Sequence, residues 1–224
     1  MAGFRRGHEH PGIFFNFECG EGGGKSTHIE LLAKHLEKEG YVVIASREPG
    51  GTKIGEQIRH VLQHSKESAN MIPETELLLY EAARAQLFNE VVIPALKDGD
   101  IVLLDRGIDS TIAYQGKGRG LNIDYIELTN QFASLNIKPD LTFLIDVPVE
   151  VGLANIGKRD KYDRMEEQAR DFYERVREGY LALAKQEPDR IKIIPYVHGE
   201  IDKMQEQIKK YAHEFIAHLP KCII

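Results

Sequence analysis

The chain has few cysteines, no long apolar run and no excess of positive charge. Two cysteines, Cys19 and Cys222, stand near opposite ends of the 224 residues, so they cannot form the disulfide framework of a small secreted domain. The longest apolar runs, such as residues 101–104, are far shorter than the ~20 residues that a membrane-spanning helix needs. These absences favour a reduced, cytoplasmic protein.

The charge balance excludes two large classes of partner. Acidic residues number 35 against 29 basic residues, which gives a net charge of −6. Nucleic acids and anionic membranes both need a basic surface, so we expect neither as a partner. In residues 1–11, Arg5 and Arg6 have no apolar stretch behind them, and we therefore expect a disordered tail here, not a signal peptide.

Apolar runs and amphipathic stretches alternate along the rest of the chain. Five short runs predict buried strands at residues 13–17, 41–45, 101–104, 141–145 and 191–194. Near-continuous apolarity predicts strands that are buried on both faces of a parallel sheet. A helix over residues 73–97 contains Pro94, which should kink it or end its regular part. We expect one α/β domain over residues 1–224 with a doubly wound, five-stranded parallel sheet.

A glycine-rich turn joins the first strand to the first helix. It reads Cys19-Gly20-Glu21-Gly22-Gly23-Gly24-Lys25-Ser26-Thr27, and we predict that all nine residues bind ATP. The phosphate-loop pattern G-x-x-x-x-G-K-[ST] is met at every position except the first, where Cys19 replaces glycine. Inward-turned N–H groups would bind the phosphates, Lys25 would reach the β- and γ-phosphates, and Ser26 would bind Mg²⁺.

Cys19 leaves a second interpretation open. A side chain at this position could strain the backbone if the loop needs a positive φ there. The chain would then be a nucleotide-binding protein with little catalysis, which Cys19→Gly would reveal by a large gain in activity. The loop alone does not choose among GTPases, ATPases and small-molecule kinases.

Three further segments narrow the choice. Residues 47–52 read R-E-P-G-G-T, the long helix carries Tyr80 and Arg84 four residues apart, and Asp105-Arg106 is followed by Ser110 and by A-Y-Q-G at residues 113–116. With the phosphate loop, these segments resemble thymidylate kinase of the bacterial type, from about residue 13 to the final helix. The resemblance implies a P-loop NTPase fold with a small helical lid, an ATP:dTMP phosphotransferase that uses Mg²⁺, and a homodimer.

Residues near the phosphate chemistry can be assigned partly from their own properties. Asp105 ends an apolar strand, where a carboxylate would hold Mg²⁺ together with Ser26. Arg106 has the planar fork that suits the phosphate of the acceptor. The resemblance adds Arg59 to that phosphate and places Glu21 near the 3′-hydroxyl of the acceptor.

The resemblance also implies the residues that read the nucleoside. Tyr80 would stack on thymine and Arg84 would hydrogen-bond the base. The substrate-binding set is completed by Glu48, Ser110, Tyr114 and Gln115, with the tyrosine crowding the 2′ position against ribose. A related nucleoside or nucleotide kinase with a shifted acceptor remains the alternative among enzymes.

Because the phosphate loop contains no arginine, the resemblance implies that the lid supplies the arginine that stabilises the transferring group. The resemblance places the lid at residues 152–166, where Lys158, Arg159 and Arg164 are basic. We predict that Arg159 is the catalytic arginine. Three other residues are assigned no catalytic or metal-binding role. We interpret Asp146 as a helix cap, and His60 and His64 as part of a solvated helix face.

Overall fold

The computed structural model describes residues 6–157, 164–165 and 168–219, and it contains a five-stranded, fully parallel sheet. The strands lie in the order β2-β3-β1-β4-β5. They are β1 Ile13–Cys19, β2 Val43–Arg47, β3 Ile101–Asp105, β4 Leu141–Asp146 and β5 Ile191–Pro195. The predicted doubly wound α/β fold is confirmed.

Helices cover both faces of this sheet. They are α1 Lys25–Lys38, α2 Lys53–Gln63, α3 Pro73–Leu87, α4 Ile93–Asp98, α5 Ile108–Thr111, α6 Ile123–Ala133, α7 Val149–Ile156, α8 Arg170–Gln186 and α9 Ile201–His218. A 3-10 turn spans Lys66–Asn70, and π-helical segments span Phe88–Val92 and Ile112–Gly118. Within the described ranges, none of these helices has the length and apolarity needed to cross a membrane.

Two strand predictions differ from the structure. The second strand is Val43–Arg47, two residues later than predicted, and it is only partly buried along its length. It forms one edge of the sheet and β5, also partly exposed, forms the other. Burial on both faces therefore holds for the inner strands β1, β3 and β4, because an edge strand has a neighbour on one side only.

Pro94 interrupts the long helix as expected. Regular α-helix ends at Leu87, a π-helical turn follows, and α4 begins at Ile93 with Pro94 in its first turn. Proline lacks an N–H group and crowds the preceding turn, and a π-turn accommodates such a defect without ending the helical path.

Strand β1 divides the core and leads to the candidate site. Its residues Phe15 and Phe17 pack with α1 and α9 on one face of the sheet. The alternate residues Phe14, Asn16 and Glu18 point to the other face, since side chains alternate along a strand, and all three are buried. Two polar residues on a buried strand face require partners, and Glu18 finds them at the site described below.

Two predictions about polar residues are corrected. Arg6 lies 3.3 Å from the Asp140 carboxylate and His8 lies 3.1 Å from it, so residues 6–11 are not the expected disordered tail; residues 1–5 lie outside the described part. Asp146 does not cap α7, which has Pro148 at its N-cap and no side-chain cap. Its two oxygens accept from Nε and Nη2 of Arg177 at 2.7 and 3.0 Å, because a guanidinium fork is a stronger partner than a backbone N–H.

Candidate active site

A cavity of about 510 Å³ opens beyond the carboxyl ends of β1 and β3, where ligands of doubly wound sheets bind. Most of the predicted site residues line it: Glu21, Gly22, Gly23, Gly24, Lys25, Ser26, Thr27, Glu48, Arg59, Tyr80, Arg84, Asp105, Arg106, Ser110, Tyr114 and Gln115. Cys19 and Gly20 are not among the lining residues in the described part of the chain, and Arg159 lies outside that part.

Sequence reasoning missed several residues that line the cavity: Arg47, Pro49, Gln63, Thr111, Asn155 and Met165. Arg47, Pro49 and Thr111 lie in segments whose patterns had pointed to the site, and Asn155 and Met165 lie in the predicted lid. Gln63, at the end of α2, has no motif that distinguishes it from an ordinary surface residue.

The phosphate loop connects β1 to α1 through two glycines in the left-handed region. Gly22 has φ 66° and Gly24 has φ 82°, conformations that L-residues with a side chain rarely adopt. Cys19 is the last residue of β1 and is not among the positive-φ residues of the described chain. The strain that a left-handed Cys19 would bring is therefore not present.

Lys25, Ser26 and Asp105 meet at the mouth of the loop. The Lys25 Nζ lies 3.6 Å from Asp105 Oδ1, and the Ser26 hydroxyl donates to Asp105 Oδ2 at 3.2 Å. Burial works against the charge of Lys25, but the nearby Asp105 and Glu21 carboxylates raise its pKa above the ordinary value. A hydroxyl and a carboxylate side by side are the oxygen ligands that Mg²⁺ prefers, so these residues fit a metal there.

Arg106 is held at the junction of β1 and β3. It has a left-handed φ of 70°, a conformation in which non-glycine residues cluster at functional sites. Its guanidinium lies 2.5 Å from the Glu21 carboxylate and stacks over the Tyr114 ring at 4.8 Å. Although burial opposes the charge, Glu21 raises the pKa of Arg106 well above its usual range. The side chain is thus a fixed cation facing the cavity.

Glu18 fixes the segment that follows β3 through hydrogen bonds, and the sequence analysis did not single it out. Its carboxylate accepts from the backbone N–H groups of Gly107 and Ser110 at 2.9 and 3.1 Å. It also accepts from the Ser110 and Tyr180 hydroxyls at 2.6 and 2.7 Å. Burial raises the pKa of Glu18. The alternation of β1 places Glu18 on the site's side of the sheet, which is the signal that could have found it.

Arg84 is buried and contacts several protein groups, whereas the sequence analysis predicted a hydrogen bond from it to the base. Its side chain is 1% exposed, and its guanidinium nitrogens contact Glu48 (2.9 Å from Nε and 2.6 Å from Nη2), Glu81 (2.7 Å), Asn130 (2.5 Å) and Thr111 (2.9 Å). Hydrogen bonds thus engage four of its five N–H donors, and the second Nη2 contact, to Glu48, is an ion pair. Burial raises the pKa of Glu48 to about 7 and also raises that of Glu81, and the Arg84 guanidinium, which two carboxylates share, offsets only part of this effect.

Other predicted residues are fixed by hydrogen bonds at the rim of the cavity. Arg59 Nη1 donates to the Pro49 carbonyl at 2.8 Å, which ties α2 to the segment after β2. Gln115 Nε2 donates to Glu76 Oε1 at 2.8 Å. Ser110 shares a hydrogen bond with the Tyr180 hydroxyl at 2.8 Å. The protein's own hydrogen bonds therefore hold this set in place.

The described part of the lid reaches the phosphate loop through α7. Asn155 Nδ2 donates to the Gly22 carbonyl at 2.9 Å, so α7 contacts the loop directly. Arg164 instead pairs with Glu76 and donates from Nε to the Leu62 carbonyl at 3.0 Å. Lys158 and Arg159 lie outside the described residues, and the assignment of Arg159 stays a prediction.

The order of the strands, the phosphate loop before α1 and the Asp105 carboxylate beside Ser26 are those of a P-loop NTPase. Comparison with known proteins narrows this class. The family model for thymidylate kinase matches residues 17–208, and the chain belongs to the thymidylate kinase family. Members of this family use ATP to phosphorylate dTMP to dTDP.

Individual relatives agree with this assignment over nearly the whole chain. The chain is 44% identical to the thymidylate kinase of Kosmotoga olearia over 209 residues, covering 93% of this chain and 98% of the relative. It is 48% identical to that of Geotalea daltonii over 190 residues, covering 82% and 88%. The crystal structure of thymidylate kinase from Ehrlichia chaffeensis superposes with a TM-score of 0.74 at 34% identity, covering 90% of this chain and 98% of that one.

Proposed function

We propose that this chain carries out its family's reaction with the cavity described above: it moves the γ-phosphoryl group of ATP to dTMP and releases ADP and dTDP. The observation that carries the proposal is the placement of Lys25 and Arg106 on one cavity of about 510 Å³, a size typical of small-molecule sites. One cation belongs to the phosphate loop and the other follows the neighbouring strand, so two anionic groups can be held facing each other.

The donor side consists of the phosphate loop and α1. Its N–H groups and the N-terminus of α1 bind the triphosphate, and Lys25 contacts the β- and γ-phosphates. Ser26 and Asp105, 3.2 Å apart, would hold Mg²⁺, which supplies positive charge to the phosphate oxygens. Asn155 would keep α7 against the loop while ATP is bound.

The acceptor side consists of Arg106, Arg59 and Glu21. Arg106 and Arg59 bind the phosphate of dTMP, and the Arg106 fork orients it toward the γ-phosphorus. Glu21 holds Arg106 before the substrate arrives and lies beside the Tyr114 hydroxyl at 2.8 Å. A nucleotide sugar in this position would meet Glu21 at its 3′-hydroxyl and Tyr114 at its 2′ carbon.

The base would lie between Tyr80 and the wall formed by Arg84, Ser110 and Gln115. Tyr80 offers an aromatic face for stacking. Because most N–H donors of Arg84 are engaged by protein acceptors, we propose that Arg84 shapes and polarises this wall, and that a hydrogen bond to the base uses the remaining donor or requires one of those contacts to be exchanged.

An acceptor panel tests the proposal. Release of ADP is measured with dTMP, dUMP, UMP, GMP and AMP as acceptors in the presence of Mg·ATP. We expect the highest kcat/KM for dTMP, since the cavity offers a thymine stack and crowds the 2′ position. A higher kcat/KM for UMP, GMP or AMP would favour the alternative, a related nucleotide kinase, and ADP release without any acceptor would point to an ATPase.

We further propose that the chain forms a homodimer through α6 and its neighbours. Tyr125, Leu128 and Phe132 recur at three- and four-residue steps on α6 and are 69%, 61% and 82% exposed. Leu78 on α3, which packs against α6, is 60% exposed. Large apolar side chains on adjacent helices mark a protein interface, and a closed two-fold pair is the commonest arrangement.

The oligomeric state can be measured by sedimentation. We expect a dimer for the unaltered chain and a shift toward monomer for Phe132→Glu, which places a charge in the apolar patch. Ile201→Glu, at an exposed apolar residue on α9, is the matched control and should leave the dimer intact. A monomer at all concentrations would contradict the proposed interface.

Because ATP and dTMP are nucleotides of the cell interior, we also propose a cytoplasmic location.

A further inference from the structure

A cluster of metal-ligating side chains lies away from the active-site cavity, where α1 and α9 pack together. His35 and Glu39 stand one turn apart at the end of α1, and His213 faces them from α9. The two Nε2 atoms are 3.1 Å apart, His35 Nε2 is 3.4 Å from Glu39 Oε1, and His213 Nε2 is 3.1 Å from Glu39 Oε2. Three ligand atoms therefore surround one point.

These separations fit the coordination shell of a metal ion. Zinc lies about 2.0–2.1 Å from histidine nitrogen and about 2.0–2.2 Å from carboxylate oxygen, so two ligands at a tetrahedral angle are about 3.4 Å apart. Two imidazoles with one carboxylate suit Zn²⁺ and its first-row neighbours, whereas Mg²⁺ and Ca²⁺ prefer oxygen ligands alone.

The supporting helices already hold the ligands in position. Leu32 and Leu36 of α1 pack in the same buried cluster as Ala212 of α9. His28 Nδ1 and Gln205 Oε1 join the two helices again at 2.7 Å. The negative end of the α1 dipole favours a cation at this point. His35 and His213 are 27% and 44% exposed, which leaves room for the ion and a water ligand.

We infer that His35, Glu39 and His213 form a surface site for a first-row divalent metal of the Zn²⁺ type that clamps α9 onto α1. This site is separate from the Mg²⁺ of phosphoryl transfer. Because α1 begins at Lys25 of the phosphate loop, the clamp stabilises the helix on which the donor site is built.

Calorimetric titration of the metal-free, nucleotide-free full chain with ZnCl₂, together with thermal unfolding, tests the inference. We expect one equivalent of Zn²⁺ to bind and to raise the Tm. Replacing His213 with Ala should weaken binding by at least about tenfold and abolish most of the Tm rise. His35→Gln should do the same, and its side chain keeps the helix propensity of the position.

His60→Ala provides the matched control. His60 and His64 are also four residues apart on a helix, with ring centroids 6.1 Å apart, but no third ligand faces them in the described residues. Zn²⁺ binding should survive this change. Absence of Zn²⁺ binding by the unaltered chain, unchanged binding by His213→Ala, or loss of binding in His60→Ala alone would overturn the inference.

Discussion

At the base of the phosphate loop, the Cys19 side chain occupies the space that a side chain on residue 23 would need. A Cβ built on Gly23 would lie 2.4 Å from the Cys19 sulfur, closer than any real contact allows. The sulfur also accepts from Lys25 Nζ at 3.4 Å. Cysteine is therefore accommodated at the first position of the phosphate-loop pattern because residue 23 has no side chain. Sequence reasoning noticed Cys19 but could not find its partner, since packing between two loop residues leaves no periodic signal.

A double-mutant cycle tests this coupling. Gly23→Ala should impair ATP turnover and destabilise the fold by about 1–3 kcal/mol through overpacking, and adding Cys19→Gly should restore most of both. Cys19→Gly alone should change kcat/KM for ATP only a few-fold. Steady-state kinetics and chemical unfolding of the four variants give the interaction energy.

Gly20→Ala is the control for a side chain added to the same loop. A Cβ there would meet only the Val147 side chain, at 3.9 Å, so the stability of this variant should stay close to that of the unaltered chain. Additive effects in the cycle would mean that residues 19 and 23 do not compete for space. A large gain in activity on Cys19→Gly would instead favour a protein compromised in catalysis.

Elements whose chemistry is local could be predicted, and those fixed by tertiary packing could not. The inner strands and the phosphate loop follow from buried apolar runs and from glycines at turns that need positive φ. The edge strand β2 was misplaced because Tyr41 and Val42 are as apolar as the strand itself. The π-helical segment Ile112–Gly118, which carries Tyr114 and Gln115, has no sequence signature. The partners of Arg84 come from α3, α5, α6 and the loop after β2, so only the folded chain brings them together.

The lid segment contains the predicted catalytic arginine, Arg159. Arg159→Ala should lower kcat by at least about 100-fold with little change in the KM values, because an arginine that stabilises the transferring group acts mainly in the transition state. Lys161→Ala, in the same segment, should change kcat only a few-fold. Single-turnover measurements with both variants check the contrast. An equal fall in the two variants, or none in Arg159→Ala, would remove Arg159 from the catalytic role.

At the scale of the whole molecule, one buried ion pair joins the active-site helices to the far side of the sheet. Asp109 on α5 is 1% exposed and pairs with Arg190, just before β5, at 2.7 Å. Thr142 of β4 donates to the same carboxylate at 2.9 Å. Burial opposes the charge, but Arg190 and Thr142 more than compensate and lower the pKa of Asp109.

Because of this pKa shift, the free energy of unfolding depends on pH in the acidic range. A carboxyl group whose pKa is lowered by folding stabilises the native state above its unfolded pKa, ~3.9, and this stabilisation is lost as the pH falls from that value through the lower pKa of the folded state. We expect Asp109→Asn to lower the free energy of unfolding at pH 7 by about 1–3 kcal/mol, because Arg190 loses its buried partner and keeps only the more exposed Glu187, 2.8 Å from its Nε. The variant should also show a shallower loss of stability between pH 5 and 3.

Denaturant unfolding over this pH range checks the expectation. Asp124→Asn, at an exposed residue in the first turn of α6, is the control and should keep the pH slope of the unaltered chain. An Asp109→Asn variant with an unchanged slope would show that other carboxylates account for acid unfolding.

The most direct test of the central claim follows the γ-phosphoryl group itself. The full chain is mixed with γ-labelled ATP, Mg²⁺ and dTMP, and the label is traced in a single turnover. The account predicts that label passes from ATP to dTDP in the unaltered chain and in Lys34→Ala, an exposed lysine on α1, and that Lys25→Ala abolishes the transfer. Transfer by Lys25→Ala at the rate of the unaltered chain, or label released as free phosphate instead of dTDP, would contradict it.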